Sequence, residues 1–296
     1  MKTAVVLMAY GSPERLADVP AYYADIRGGK PIRPDLLADL IERYRRLGIE
    51  DESPLNAMTE ATRAALEDEL DFPVYTGMKH WRPRIAEAAE AALAGGAETV
   101  VGLVLAPHYS RLSIDGYREQ LESALAGRAE LRFVESWHDH AGFVSFLAGR
   151  VRGTERHVIF TAHSLPARIL EEGDPYQDQL LETCSLIAQA AGLSDYSFSY
   201  QSESDTGEPW LRPDILGHLA DLRGRGVRSV LVCPVGFVAD HLEIRWDLDT
   251  QAAARSAELG LDFARIEMPN DDPAFVAVLA DVVRTTLPLP STVCEP

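Results

Sequence analysis

Two stretches of the sequence, one near its start and one past its middle, carry the same pattern of residues. Residues 5–13 are VVLMAYGSP and residues 158–166 are VIFTAHSLP. In each, an apolar run with β-branched residues is followed by an alanine, then by a residue with an aromatic ring, and three positions later by a proline. Such runs are typical of buried parallel strands, and open α/β sheets bind ligands at the carboxyl ends of their strands. The pattern predicts a duplicated α/β fold in which Tyr10 and His163 occupy equivalent ligand-binding positions.

Strand-like and helix-like segments alternate along the whole chain. The predicted strands span 3–8, 72–78, 99–105 and 131–134 in the first half, and 157–161, 196–200, 229–233 and 262–266 in the second. The predicted helices span 34–46, 59–70 (with Thr59 as N-cap), 85–93, 114–126, 177–191, 215–223, 239–259 and 275–285. This alternation implies right-handed crossovers and parallel sheets. We therefore expect an α/β protein with two pseudo-symmetric, Rossmann-like, doubly wound domains, each with a parallel four-stranded sheet.

The two halves also agree further along. The matching pairs are HWRP at 80–83 with WLRP at 210–213, and VLAP at 104–107 with LVCP at 231–234. We expect an N-terminal domain over 1–139 and a C-terminal domain over 140–268, whose equivalent strand ends line one cleft. The remaining residues, 269–296, are expected to form a helix and a tail that pack across both domains.

The composition fits a globular protein and excludes a membrane span. Apolar residues make up 46% of the 296, and no apolar run approaches the roughly 20 residues that cross a bilayer. Because the residues after Met1 lead directly into a predicted strand, we expect a cytoplasmic protein. Three widely spaced cysteines (Cys184, Cys233 and Cys294) predict neither a disulfide framework nor a CxxC metal site, and the first two are expected to be packing residues.

The charge is strongly negative and unevenly distributed. A net charge of −18 argues against nucleic acid as a partner. Residues 1–46 are the exception, with eight basic and six acidic side chains. The basic residues there include two local groups, Arg27, Lys30 and Arg33, then Arg43, Arg45 and Arg46. These groups suit either an ordinary solvated helix face or a receptor for an anionic ligand, because arginine binds carboxylates bidentately.

The second half contains a histidine and a carboxylate that the predicted fold brings together. The loop PVGFVADHLE at 234–243 follows the third strand of that half, and His163 follows the first. Parallel strands lie about 4.8 Å apart, so His163 and Glu243 are expected to converge at one sheet edge. Asp247, four residues after Glu243, extends the acidic row along the same helix face. Facing Tyr10, this set would suit either divalent iron or zinc, or proton acceptance near neutral pH.

Several common enzyme signatures are missing from the sequence. It contains no HExxH, GxxxxGK[ST], GxGxxG or GxSxG motif. The zinc-protease, P-loop, dinucleotide-binding and α/β-hydrolase interpretations therefore have no support.

Six short segments together resemble the motifs of ferrochelatases. They are TAHSLP at 161–166, PVGFVADHLE at 234–243, QS at 201–202 with PWL at 209–211, LAPHYS at 105–110, VESW at 134–137 and EMPN at 267–270. The resemblance extends from about residue 5 to residue 283, nearly the whole chain. It implies a chelatase-like fold of two Rossmann-like domains that inserts Fe2+ into a porphyrin held in the cleft between them.

Within that family, AYGSP at 9–13 resembles the coproporphyrin III branch of monofunctional bacterial enzymes. The resemblance implies a lyase of haem biosynthesis that inserts Fe2+ into coproporphyrin III to form coproheme. It implies that His163 and Glu243 bind Fe2+ and take part in removing protons, with Tyr10 as the axial contact to the product's iron. The other positions that resemble porphyrin or propionate contacts are Arg27, Arg43, Tyr44, Ser53 and Tyr117.

The resemblance has departures and leaves alternatives open. Gln251 lies where relatives often have an acid, which leaves an outer metal site that includes Asp247 undecided. Only Cys294 lies near the carboxyl end, so we predict no iron-sulfur cluster and no tightly bound cofactor, with Fe2+ as a substrate. We expect a monomer that hands coproheme to a downstream processing enzyme. The alternatives are a protoporphyrin IX ferrochelatase, a cobalt chelatase and a non-enzymatic tetrapyrrole carrier.

Overall fold

The computed structural model describes residues 2–30, 33–49, 53–204 and 206–287, which contain two parallel four-stranded sheets. The first sheet consists of β1 (Thr3–Ala9), β2 (Val74–Met78), β3 (Thr99–Val104) and β4 (Glu130–Val134). The second consists of β5 (His157–His163), β6 (Tyr196–Gln201), β7 (Ser229–Cys233) and β8 (Asp262–Arg265). The predicted α/β fold with two parallel four-stranded sheets is confirmed.

Both sheets have the same strand order. It is β2-β1-β3-β4 in the first and β6-β5-β7-β8 in the second. In each sheet the chain goes from an inner strand to one edge and then returns to the other side of that strand. This reversal opens a crevice beyond the carboxyl ends of β1 and β3, and of β5 and β7, where ligands of open α/β sheets bind.

Helices cover both faces of each sheet. They are α1 (Val19–Ile26), α2 (Pro34–Arg46), α3 (Pro54–Leu70), α4 (Ile85–Ala94), α5 (Asp115–Leu125), α6 (Ala141–Val151), α7 (Tyr176–Ala191), α8 (Ile215–Gly224), α9 (Ala253–Leu259) and α10 (Pro273–Thr286). Because both faces are covered, β3 is buried along its whole length and reads as a continuous apolar run. The sequence pattern did not predict α1 or α6.

One apolar cluster joins the two sheets. It includes Leu103 of the first sheet, Phe160 of the second, and Phe143 and Phe275 of the helices between them, all fully buried. The last helix, α10, packs against α3, α6 and β4. Because the two sheets share this apolar cluster, they form one continuous body. The division at 139/140 and 268/269 stays a prediction, and residues 288–296 of the predicted tail lie outside the described residues.

The segment predicted as one helix over 239–259 is different in start and type. A π-helix covers Ile244–Ala252, preceded by Glu243 as its N-cap residue, and α9 follows it. In a π-helix each backbone N–H bonds to the carbonyl five residues earlier, and such helices are frequent at functional sites. Apolar periodicity did not reveal the wider turn. The prediction of a regular helix from 239 was wrong, because the residues before 242 form the loop that carries Glu243 to β5.

The predicted start of the third helix was also wrong. The helix α3 begins at Pro54, and Ser53 caps it by accepting a hydrogen bond from the backbone N–H of Asn56 at 3.3 Å. Thr59 lies inside the helix, where its hydroxyl donates to the carbonyl of Leu55 at 2.7 Å. Serine followed by proline is a strong N-terminal signal that outweighs the threonine six residues after that serine.

Two composition-based predictions can be compared with the described residues. No helix among them is long and apolar enough to cross a membrane. Cys184 and Cys233 are buried free thiols, as expected of packing residues. Cys294 lies outside the described residues, so the predicted lack of an iron-sulfur cluster stays a prediction.

Candidate active site

A close backbone crossing brings the loop after β7 to the end of β5. The backbone N–H of Gly236 donates to the carbonyl of Thr161 at 3.2 Å. A Cβ at Gly236 would lie 2.6 Å from the Cβ of Ala162 and 3.0 Å from its Cα. No side chain fits in that space, so glycine is required for the loop to cross directly beside His163.

His163 and Glu243 meet at this edge, as predicted from the strand order. The Nε2 atom of His163 lies 3.5 Å from Oε1 of Glu243, and the two side chains are 30% and 38% exposed. His163 donates through Nδ1 to the carbonyl of Ser164, which leaves Nε2 directed at the carboxylate. The other oxygen of Glu243, Oε2, lies 3.5 Å from Nε2 of His241. Sequence reasoning did not assign a role to His241, although it lies only two residues before Glu243.

The two groups stabilise each other's charged forms. Burial alone would lower the pKa of His163, but the nearby Glu243 carboxylate outweighs it and raises the pKa to about 9. Burial would raise the pKa of Glu243, yet His163 and His241 hold it well below its ordinary value. At neutral pH the wall therefore carries an imidazolium beside a carboxylate. A metal ion that binds Nε2 must displace that proton.

Asp247, in the π-helix, lies on the same side as Glu243 and is buried. Its carboxylate accepts a hydrogen bond from the hydroxyl of Ser202, and only 8% of the residue is exposed. Burial, reinforced by the negative charge of Glu243, raises the pKa of Asp247 to about 6. The predicted acidic row is thus present.

The opposite wall begins at Tyr10, directly after β1. This tyrosine is one of five large hydrophobic residues that are exposed in the described part of the chain, with 41% of its surface accessible. Desolvation of its hydroxyl, with a further contribution from the charge of Glu243, raises the pKa of Tyr10 above its ordinary value. The phenol is therefore neutral at physiological pH.

His80 is a site residue that sequence reasoning missed. It follows β2, the neighbour of β1, and its ring lies 4.6 Å from that of Tyr10. Its Nδ1 lies 2.9 Å from Oδ2 of Asp25, and Arg84 binds the same carboxylate at 2.8 and 3.1 Å. Burial lowers the pKa of His80 despite Asp25. Its position at a strand end beside β1 was the available signal.

Tyr44 and Ser53, both predicted porphyrin contacts, are buried in the first half. The hydroxyl of Tyr44 lies 3.2 Å from that of Ser12, and burial raises the pKa of Tyr44 to about 12. Ser53 is fully buried as the cap of α3, a role that accounts for this serine by itself. Asn56 in turn holds the loop after Tyr10, since its amide donates to the carbonyl of Ser12 at 2.8 Å. Contacts of Tyr44 and Ser53 with porphyrin stay predictions.

Tyr117 is also buried, on α5, and carries a cation on its ring. The ammonium of Lys79 lies 4.6 Å from the ring centroid and donates to the carbonyl of Ser113 at 2.8 Å. Burial lowers the pKa of Lys79 and raises that of Tyr117, and the latter is raised further by Tyr10. The contact of Tyr117 with porphyrin stays a prediction.

The two predicted arginines differ in their surroundings. Arg27, directly after α1, is exposed, and none of the described side chains pairs with it. The guanidinium of Arg43 bonds to Asp39 at 2.6 and 2.9 Å and lies 5.5 Å from the ring centroid of Trp246 in the π-helix. Arg43 thus connects α2 of the first half to the helix that follows Glu243.

Solved structures share this architecture. The chain is similar to SirB from Bacillus subtilis with Fe3+, with a TM-score of 0.65 over 97% of this chain and 96% of that one. The identity is 10%, so the similarity concerns the fold alone.

Sequence comparison is more specific. The family model of ferrochelatase matches residues 2–287. A ferrochelatase of Herpetosiphon aurantiacus is 43% identical over 95% of this chain and 98% of its own length. A coproporphyrin III ferrochelatase of Halalkalibacterium halodurans is 40% identical over 97% of each chain. Because the match covers nearly the full length of the chain and of these relatives, the chain belongs to the ferrochelatase family.

Proposed function

We propose that this metal chelatase inserts Fe2+ into coproporphyrin III to form coproheme, in haem biosynthesis. The observation that carries the proposal is the pair His163 and Glu243, 3.5 Å apart at the carboxyl ends of β5 and β7 and within electrostatic reach of Tyr10. The name of the Halalkalibacterium halodurans relative supports coproporphyrin III as the substrate. The unqualified name of the Herpetosiphon aurantiacus relative supports ferrochelatase activity only.

His163 and Glu243, which form the second wall of the site, would supply both metal ligands and proton acceptors. Metallation requires two pyrrole protons to leave while the ion sheds its water. His163 and Glu243 offer an imidazole and a carboxylate, which suit Fe2+. A histidine whose pKa is about 9 retains a proton at neutral pH, so it must first release that proton before it can bind the ion. The neutral phenol of Tyr10 would contact the other face of the ring.

The first half would bind the macrocycle. A flat porphyrin shields its nitrogens, and binding energy from its remote propionates can supply the distortion that exposes them. Arg27 is exposed, has no charged partner among the side chains that the structure describes, and lies in the part of the sequence that is not acidic. Arg43 already binds Asp39, so a propionate there would share the guanidinium. Four propionates would use such a surface more fully than two.

Other parts of the proposal concern the state of the protein. We propose a cytoplasmic monomer that uses Fe2+ as substrate, carries no iron-sulfur cluster and delivers coproheme to a processing enzyme. Size-exclusion chromatography with light scattering would test the monomer, and iron and sulfide analysis of the purified protein would test the cluster.

The direct test is metallation under anaerobic conditions with Fe2+, followed by absorption. Coproporphyrin III should be metallated with a higher kcat/KM than protoporphyrin IX. Removing this exposed cation in Arg27→Ala should raise the KM for coproporphyrin III about two- to fivefold, the range of an exposed charge pair. Arg45→Ala is the matched control, because this exposed arginine is already paired with Glu42 at 2.6 Å. Faster metallation of protoporphyrin IX would contradict the proposal, as would porphyrin binding without metallation.

A further inference from the structure

We infer that Tyr176 is a positioning residue, whose hydroxyl fixes the backbone of His163 and so aims its imidazole at the incoming metal ion. The inference rests on the proposed role of His163 as a metal ligand. Tyr176 is the first residue of α7 and is 7% exposed. Its hydroxyl donates to the carbonyl of His163 at 3.0 Å.

The carbonyl of His163 needs this donor because its strand neighbour has ended. The N–H of Ser164 bonds to the carbonyl of Gln201 on β6 at 2.7 Å, so residue 164 faces β6 and residue 163 faces the other side. On that side β7 pairs with β5 only as far as Phe160. The hydroxyl of Tyr176 therefore takes the place of a missing ladder donor.

The peptide group between His163 and Ser164 is consequently held from both sides. Tyr176 holds its carbonyl, and Gln201 holds its N–H. The side chain of His163 is tied to the next peptide, because Nδ1 donates to the carbonyl of Ser164. Rotation of the first peptide would disturb that bond and turn Nε2 away from Glu243. A hydrogen bond on the backbone thus sets the direction of the metal ligand.

Tyr176 is itself anchored to the opposite wall. Its backbone N–H donates to Oδ1 of Asp174 at 3.0 Å. The other oxygen of Asp174 accepts from the hydroxyl of Ser110 at 3.0 Å and from the N–H of Arg111 at 2.8 Å, in the loop after β3. Asp174 is 7% exposed. The segment from Asp174 to Tyr176 therefore fixes His163 relative to the wall of the first half.

The test uses Tyr176→Phe, which removes the hydroxyl and keeps the ring. We expect Zn2+ to bind the porphyrin-free variant about tenfold more weakly, the lower end of the cost of losing an orienting hydrogen bond. The KM for Fe2+ should rise similarly, while the KM for coproporphyrin III should stay within twofold of wild type. Isothermal titration and anaerobic steady-state kinetics measure these constants.

Tyr200→Phe is the matched control. Tyr200 is 2% exposed, and its hydroxyl donates to Oε1 of Gln177 on the same helix at 3.1 Å, with no bond to His163. A purely structural role of Tyr176 would give both variants the same loss of Tm and unchanged affinity for Zn2+, which would overturn the inference. If Tyr176→Phe does not fold, Ser110→Ala takes its place, since it weakens the anchor through Asp174 and should raise the KM for Fe2+ by a smaller factor. A Ser110→Ala enzyme with unaltered KM would then count against the inference.

His163→Ala separates this inference from the proposed function. If His163→Ala binds Zn2+ as tightly as wild type, His163 is not the ligand and the proposed function fails. If His163→Ala loses Zn2+ and Tyr176→Phe does not, only the role of Tyr176 fails.

Discussion

The two strand-end crevices have the same topology and opposite chemistry. Beyond β1 and β3 lie neutral phenols, represented by Tyr10 and Tyr117, whose pKa values are raised by burial. Beyond β5 and β7 lies a charged pair, the imidazolium of His163 and the carboxylate of Glu243. The strand order is identical in both sheets, so the backbone does not determine this difference. The repeated fold supplies two equivalent sets of strand ends. We propose that the side chains of the first set bind the porphyrin and those of the second bind the metal ion and accept protons.

The largest expected effect comes from breaking the charged wall. His163→Ala should lower metallation on the order of 100-fold or more, because it removes a metal ligand and a proton acceptor together. Coproporphyrin binding should stay close to wild type, since the first wall is intact. Absorption under anaerobic Fe2+ measures metallation, and fluorescence quenching measures porphyrin binding.

Tyr10→Phe sharpens the same comparison from the other wall. Its neutral ring is preserved, so metallation should stay within about tenfold of wild type, the range expected when a single hydrogen-bonding group is lost. If His163→Ala and Tyr10→Phe lower the metallation rate equally, the two sets of strand ends do not have separate roles.

Two glycines, Gly236 in the second half and Gly116 in the first, differ in the space around them. Gly236→Ala would place a Cβ 2.6 Å from the Cβ of Ala162 on β5, and neither backbone can yield without moving the loop that leads to Glu243. We expect a loss of about 1–3 kcal/mol in the free energy of unfolding, typical of overpacking, and a tenfold or greater loss of kcat. Denaturant unfolding and metallation assays measure both.

Gly116→Ala is the control in the first half. A Cβ there would lie 2.9 Å from the ammonium of Lys79, which must shift but is the end of a side chain rather than part of the backbone. Alanine is also favoured over glycine within a helix such as α5. The stability should therefore change by less than about 1 kcal/mol. A Gly236→Ala enzyme as active as Gly116→Ala would contradict the tight crossing at Ala162.

The repeat in the sequence predicted most of the fold. Continuous apolar runs that end in a small residue placed Tyr10 and His163 at equivalent positions, and chain order placed Glu243 at the same edge as His163. The helix α1 escaped prediction because it is only 8 residues long. The helix α6 was overlooked, although its buried residues Phe143, Val144, Leu147, Ala148 and Val151 follow helical spacing. The π-helix escaped because its buried residues, Ile244, Asp247, Leu248 and Ala252, keep the three- and four-residue spacing of an ordinary helix.

The direction and contacts of the side chains could not be predicted from the sequence. Ser53 matched a porphyrin contact by resemblance, yet its hydroxyl faces the N-terminus of α3. His80 was overlooked because its neighbour Tyr10 is far away in the sequence and is brought to it only by the pairing of β1 and β2. A motif fixes the position of a residue on the backbone, whereas packing decides what its side chain contacts.

The smallest expected effect concerns Asp247, at the outer end of the charged wall. The pKa of this carboxyl is raised to about 6 by burial and by Glu243, so its ionised form is disfavoured in the folded state. Its unfolded value is about 3.9. Ionisation therefore costs stability as the pH rises through about 6, and no cost remains below about 4. The carboxylate weakens the fold at the pH at which the enzyme would work.

Asp247→Asn should remove that cost while its amide oxygen still accepts the hydroxyl of Ser202. At pH 8 we expect the variant to be more stable by about 1–3 kcal/mol, or a few degrees in Tm. The difference should shrink as the pH falls from about 6 to 4, because both side chains are then neutral. Differential scanning calorimetry at pH 8, 6 and 4 gives the three values. A variant that is less stable than wild type at pH 8 would show that Arg43 and Ser202 stabilise the ionised carboxylate more than burial opposes it, and the second wall would then be held together by its charges along its whole length.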